Sequence, residues 1–125
     1  MDTIEKLSSC LPRFLIVYIR EAHAEDTWPL GLSFPVQQTY CTSNRCVAAT
    51  SLIKRHPLQC EIMVDEAPDN LFDQFFAVWP LRFYVIDVVD DRVYISFIGE
   101  PHGEYMDLGD LEKYLEQRNF KIPSE

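Results

Sequence analysis

Glu21 and His23 stand two residues apart in the stretch FLIVYIREAHAEDTW, residues 14 to 28, just past an apolar run. Side chains two apart on an extended chain point the same way, so the carboxylate can hydrogen-bond the imidazole, fix its tautomer and raise its basicity. A pair of this kind relays a proton at neutral pH. Acids and a histidine after a strand also make an ordinary solvated loop, and spacing alone leaves both readings open. The other candidates carry less. His56 precedes Pro57 at a helix end, where a cation suits the helix dipole, and His102 stands in a turn. Arg82 opens a strand just after Trp79-Pro80-Leu81, as an edge charge would, and Trp28 suits a hydrophobic plug on a loop.

The four cysteines, Cys10, Cys41, Cys46 and Cys60, make no CxxC pair, and none has a histidine at metal-binding spacing. They read as reduced, semi-buried thiols, with no metal site expected. No glycine-rich phosphate loop and no GxSxG elbow appears.

The elements that would carry Glu21 and His23 follow from pattern. Residues 2 to 9 suit the last turns of a helix ending near Pro12, because the residue before proline is pushed out of helical geometry. Phe14 to Ile19 is an unbroken apolar strand, which predicts burial on both faces and a central or parallel place in a sheet. Residues 20 to 41 hold Pro29, Gly31 and Pro35 without a sustained period, and a loop of that length is usually functional. A helix is predicted over about 43 to 55, with Ser43 as cap, Cys46, Ala49 and Ile53 on one face, and His56-Pro57 as its end. Cys60 to Val64 is a short strand closed by Asp65-Glu66. Pro68 to Asn70 turns into a short helix with an apolar face of Leu71, Phe72, Phe75 and Phe76. RFYVIDV and RVYISFI form a hairpin through Val89-Asp90-Asp91. Gly99 to Glu104 turns into a closing helix with Leu108, Leu111, Tyr114 and Leu115 as its stripe. The order is an α/β layout that ends as a thioredoxin-like fold ends, and in open α/β sheets ligands gather where parallel strands end.

Composition narrows the function. The chain has 125 residues, 47% hydrophobic and 25% charged, which suits one domain over 1–125. Its formal charge of −9 argues against nucleic acid and anionic membranes as partners and favours a neutral or aromatic small molecule. No run reaches the roughly 18 apolar residues of a membrane span, so the chain as given reads as soluble.

YIREAHAEDTW resembles the YIxEAHxxDGW signature of the iodothyronine deiodinases, whose members remove iodine from thyroid hormones. HPLQCEIMVDE is similar to that family's cysteine-led strand ending in Asp, WPLRFYVIDVVDDRVYISFIGEPHGEY to its hairpin with a Gly-Pro turn and a tyrosine, and LGDLEKYLE to its last helix. The resemblance implies a thioredoxin-like α/β fold, a central mixed sheet with flanking helices, and reductive dehalogenation by a selenol or thiol nucleophile with a thiol reductant as cosubstrate. It implies that Glu21 and His23 handle the proton, that Cys60 helps return the enzyme to its reduced state, and that Arg82 contacts the phenolic end of the iodothyronine. It places Trp28 and Tyr18 with Arg82 in substrate binding. No bound cofactor is implied. A homodimer is, as is membrane attachment through an amino-terminal segment that this sequence does not include.

Departures from the pattern are specific. Thr27 replaces a glycine, and Thr39 or Tyr40 falls where the family carries a further histidine. The family's selenocysteine or cysteine nucleophile precedes the helix before FLIVYI, so it is expected upstream of this chain, along with the first strand and most of the first helix. Without that strand, the sheet strand at 14 to 19 and the hairpin are not bridged in the usual way. A selenocysteine codon reading as a stop accounts for such a start. Cys10 is no substitute, because it lies four residues before the strand and leaves no room for the helix. Two other readings stay open: a catalytically inactive thioredoxin-like domain that keeps an aromatic-ligand pocket, and a divergent thiol reductase using Cys41, Cys46 or Cys60.

Overall fold

The structure, a computed structural model, describes residues 2–31, 33, 35–101 and 108–122. They gather into two compact units, one ending at Pro80 and one beginning at Leu81.

The amino-terminal unit opens with α1 (Asp2–Cys10), ahead of Pro12. Its inner face is Leu7 and Ser8. Gln59 N donates to Ser8 Oγ at 3.3 Å, and Glu5 Oε1 meets His56 Nδ1 at 2.9 Å. His56 thus ties the residue that ends the second helix, residues 42–55, to the middle of α1. β1 (Leu15–Tyr18) pairs in parallel with β2 (Glu61–Val64), in register from Leu15↔Glu61 to Tyr18↔Val64. The expected full burial of β1 does not occur: Leu15 is 50% exposed and the rest of the strand is half-buried. With β2 as its one ladder partner among the described residues, the sheet is too narrow to cover both faces.

α2 (Thr42–Arg55) packs on β2 and ends at His56. Its start and its inner face both differ from expectation. No side chain caps it; Cys41 takes the N-cap position, and Thr42 Oγ1 exchanges hydrogen bonds with the N–H and C=O of Ala67 at 3.1 and 3.3 Å. The buried residues are Arg45 and Ala49, whereas Cys46 and Ile53 are exposed. Burial follows the 45/49 line because Arg45 finds hydrogen-bond acceptors inside, which a polarity count cannot foresee. α3 (Leu71–Phe76) departs further, since its one buried residue is Asp73 and Phe75 is 82% exposed. Six residues make too few turns to bury an apolar stripe, and the helix turns its start toward the Asp65 carboxylate instead.

In the carboxy-terminal unit, β3 (Phe83–Val89) and β4 (Arg92–Gly99) form an antiparallel hairpin with a register shift between Val85 and Ile86. Asp90 and Asp91 make the turn with φ of 50° and 59°, the pair of positive values that matches strand twist. α4 (Gly109–Gln117) packs on β4, burying Leu111 and Leu115. Phe97 stacks on Tyr114 at 4.8 Å, and Arg118 forks onto Asp87 at 2.7 and 2.8 Å. The turn expected after Gly99 runs into residues 102–107, and His102 lies outside the described residues.

The class is α/β, as expected. Among the described residues the strands pair as a two-stranded parallel sheet in the amino-terminal unit and a two-stranded antiparallel sheet in the carboxy-terminal unit.

Candidate active site at the tip of the first strand

β1 ends at Tyr18, where Asp65 N donates to Tyr18 O at 2.9 Å and closes the ladder. The chain then bends at Arg20, whose Nε meets Asp73 at 2.9 Å and whose guanidinium lies 5.4 Å from the Trp79 ring centre. That double hold fixes the direction in which Glu21 leaves the sheet. Further bends at Ala22 and His23 break the two-residue alternation. The expected Glu21–His23 hydrogen bond is therefore not made among the described residues. Glu21 Oε1 and His23 Nδ1 are each buried without a hydrogen-bond partner there.

Each side chain nevertheless has a defined setting. The His23 ring packs against Trp28 with centroids 4.8 Å apart and planes tilted by 59°. Burial pushes the Glu21 carboxyl above the usual range, and Arg45 and Arg55 partly oppose this as nearby cations. A carboxyl held toward its neutral form can donate a proton that an exposed one cannot.

Gln38 grips the Glu21 backbone as a strand neighbour would. Its Oε1 accepts from Glu21 N at 3.1 Å, and its Nε2 donates to Glu21 O at 2.9 Å. The same Oε1 accepts from Thr39 N at 3.1 Å, while Gln38 N donates to Asp26 Oδ1 at 2.8 Å. Glu25 N to Val36 O at 2.9 Å, and the turn that returns Trp28 N to Ala24 O at 2.8 Å, draw the loop together.

Beneath this loop lies a buried polar network. Arg45, 1% exposed, donates from Nε to Thr39 Oγ1 at 3.1 Å, from Nη2 to Thr39 O at 3.1 Å and from Nη1 to Asp65 O at 2.7 Å. The Asp65 carboxylate accepts from Phe72 N at 3.0 Å and Asp73 N at 3.1 Å, serving the start of α3. Asp73 in turn accepts from Trp79 N at 3.1 Å. Sequence reading missed Gln38, Arg45 and Asp73. The available signal was an arginine four residues before Ala49 on a helix otherwise apolar along that line.

The sequence model of the iodothyronine deiodinase family matches residues 2–119. The chain belongs to that family. It is 32% identical over 123 residues to the type II iodothyronine deiodinase of Sus scrofa, covering 94% of this chain and 43% of that protein. Against the type II enzyme of Mus musculus the identity is 38% over 123 residues, covering 94% and 44%. With the type I iodothyronine deiodinase of Xenopus laevis it is 34% over 73 residues, covering 58% and 28%. The chain thus spans less than half the length of these relatives.

In this deiodinase-family chain Tyr18, Glu21, His23 and Trp28 come together on one segment. Tyr18 is half-buried and Trp28 is 56% exposed. Cys60 is not brought to them: it precedes Glu61, which pairs with Leu15 at the opposite end of the parallel sheet from the tip. Burial also pushes its thiol up. Cys41, at the start of α2, is exposed, and hydrogen bonds from Ser43 and the Asn44 backbone lower its thiol. Arg82 belongs to the carboxy-terminal unit and ion-pairs with Glu100. Among the described residues no group of three or more His, Cys, Asp or Glu side chains forms a metal site, and no helix is long and apolar enough to cross a membrane.

Proposed function

We propose that this chain carries the proton-handling part of a reductive deiodinase acting on iodothyronines or related halogenated aromatics. The observation that carries the reading is the pair of buried, unpartnered polar atoms at the strand tip, Glu21 Oε1 and His23 Nδ1, in a chain of this family. Buried polar atoms are nearly always satisfied, so two orphans within three residues point to a partner that arrives with substrate.

In the reaction, a selenolate or thiolate attacks the iodine. The aryl carbon–iodine bond breaks, the iodine leaves on the chalcogen, and the ring carbon takes a proton relayed by Glu21 and His23. Two reductant thiols then restore the chalcogen, giving a disulfide and iodide. We place the nucleophile in a segment upstream of Met1 and read the α/β arrangement as thioredoxin-like, with a first strand from that same segment. Trp28 and Tyr18 offer the ring face and phenol for substrate packing. Cys60 acts in the reductive half through thiol exchange rather than at the tip.

The test is to extend the transcript through any in-frame UGA upstream of Met1, express the longer protein, and assay iodide release from thyroxine with dithiothreitol. His23→Ala is expected to lower the rate by about 10²–10⁴, the span of general acid–base contributions. Thyroxine binding without iodide release overturns the catalytic reading in favour of a binding domain.

A further inference from the structure

We propose that Arg45 is a positioning residue for Glu21: its buried guanidinium anchors the Thr39–Gln38 arm that grips the Glu21 backbone. The consequence for turnover rests on the deiodinase reading, whereas the positioning does not.

Three observations converge. First, the guanidinium is 1% exposed and donates three hydrogen bonds, to Thr39 Oγ1, Thr39 O and Asp65 O. A fork that meets acceptors on two separate segments fixes their relative placement, which a lysine cannot reproduce. Second, both segments reach the tip. Thr39 N shares the Gln38 Oε1 that accepts from Glu21 N, and Asp65 N holds Tyr18 O at the end of β1. Arg45 therefore braces the Glu21 segment from both sides. Third, Arg45 is the leading cation acting on the Glu21 carboxylate, followed by Arg55. Of the ionisable side chains on the neighbouring segment, Arg20 is turned onto Asp73 and Trp79, Asp26 accepts from Gln38 N, and the His23 ring packs on Trp28. A buried guanidinium stays charged at every working pH, so this background does not vary.

The experiment follows the Glu21 carboxyl by carbon-detected NMR titration, and the amide hydrogen exchange of Glu21 and Thr39, in the full 125-residue chain. Arg45→Gln is expected to move the Glu21 titration to higher pH and to speed exchange of both amides at least tenfold relative to amides of α4. Arg45→Lys restores the charge without the fork, so the titration returns toward wild type while exchange stays fast. Gln38→Met speeds exchange at Glu21 and leaves the titration in place. A folded Arg45→Gln protein with wild-type exchange at both amides overturns the proposal. Should Arg45→Gln not fold, Arg45→Lys decides: wild-type exchange removes the anchoring role. Neither readout needs turnover, so failure of the iodide assay and failure of this proposal are separate results.

Discussion

Asp65→Ala tests the polar network at its most connected point. The Asp65 side chain is almost fully buried and accepts from two backbone amides, Phe72 N and Asp73 N, at the start of α3. Hydrogen bonds to a charged acceptor are worth about 1.5–3 kcal/mol each, and their loss here strands two amides away from water. The same carboxylate is also the leading anion acting on the buried Arg45 guanidinium, whose backbone acceptor Asp65 O stays in place. The pair of bonds alone sets about 3–6 kcal/mol, and shared relaxation at one site places the cost near the lower end. Against a domain stability of about 5–15 kcal/mol, the substitution takes away a large share. The assay is urea unfolding followed by fluorescence of Trp28 and Trp79, with exposed Asp69→Ala as a control expected to stay within about 0.5 kcal/mol. Asp65→Asn keeps one acceptor oxygen but turns an amide donor toward the second N–H, so it falls between. A cost below about 1 kcal/mol for Asp65→Ala, with an unchanged denaturant slope, refutes the reasoning, because it means the α3 amides find water.

Three further outcomes follow from groups already placed. The Glu21 carboxyl is raised by burial, so the folded chain binds its proton more tightly than the unfolded chain; stability falls as pH rises from the unfolded carboxyl value through the folded one, and the penalty is present above that window and absent below it. Glu21→Gln is therefore expected to match wild type in acid and exceed it at neutral pH, as measured by paired urea melts from pH 4 to 8; equal stability throughout refutes the burial cause. Among thiols, Cys41 is exposed and lowered while Cys60 is half-buried and raised, so limited iodoacetamide labelling read by peptide mass spectrometry is expected to modify Cys41 well before Cys60. The reverse order removes the assignment of an activated thiol to the start of α2. At the hairpin, Asp91 sits at φ 59°, a region costing about 1–2 kcal/mol for a non-glycine residue, with aspartate at the cheaper end. Asp91→Gly is expected to gain about 1 kcal/mol in the carboxy-terminal unit, and a loss refutes the turn geometry.

What the sequence made legible follows physical range. Alternation and punctuation are local, so the helix ending near Pro12, the parallel-type strand, the helix over about 43 to 55 (observed Thr42–Arg55), the hairpin turning through Asp90-Asp91, though sequence reading starts that turn at Val89, and the Leu111 and Leu115 positions of the last stripe could all be read. The faces of α2 and α3 could not, because Arg45 and Asp73 are buried through acceptors and donors supplied by distant segments, Thr39, Asp65 and Trp79. A polar residue with a complete set of partners behaves as a core residue, and no window on the chain reveals those partners. The pairing of Glu21 with His23 failed for a similar reason. It assumed that extended backbone persisted past Tyr18, whereas Arg20 is pulled onto Asp73 and the chain bends. Cys60 and Arg82 enter the reading only through the motifs that contain them, since neither carries a spacing signal of its own.

The contrast between satisfied and unsatisfied groups separates scaffold from site. Arg45, Asp65 and Asp73 are charged and buried, and each has hydrogen-bond partners with ordinary geometry. The fold accounts for them: removing any one leaves a donor or acceptor stranded. Glu21 Oε1 and His23 Nδ1, on the segment after β1, are buried atoms of half-buried residues and have none among the described residues. An orphan buried acceptor costs about 1–3 kcal/mol, and the fold had the means to avoid it, since Gln38 already reaches the Glu21 backbone from both sides. A backbone held by two hydrogen bonds beneath a carboxylate left unpaired is a fixed base under a free functional group. On the function proposed above, that arrangement suits proton transfer, because rigidity sets where the proton goes and the open position leaves room for a partner.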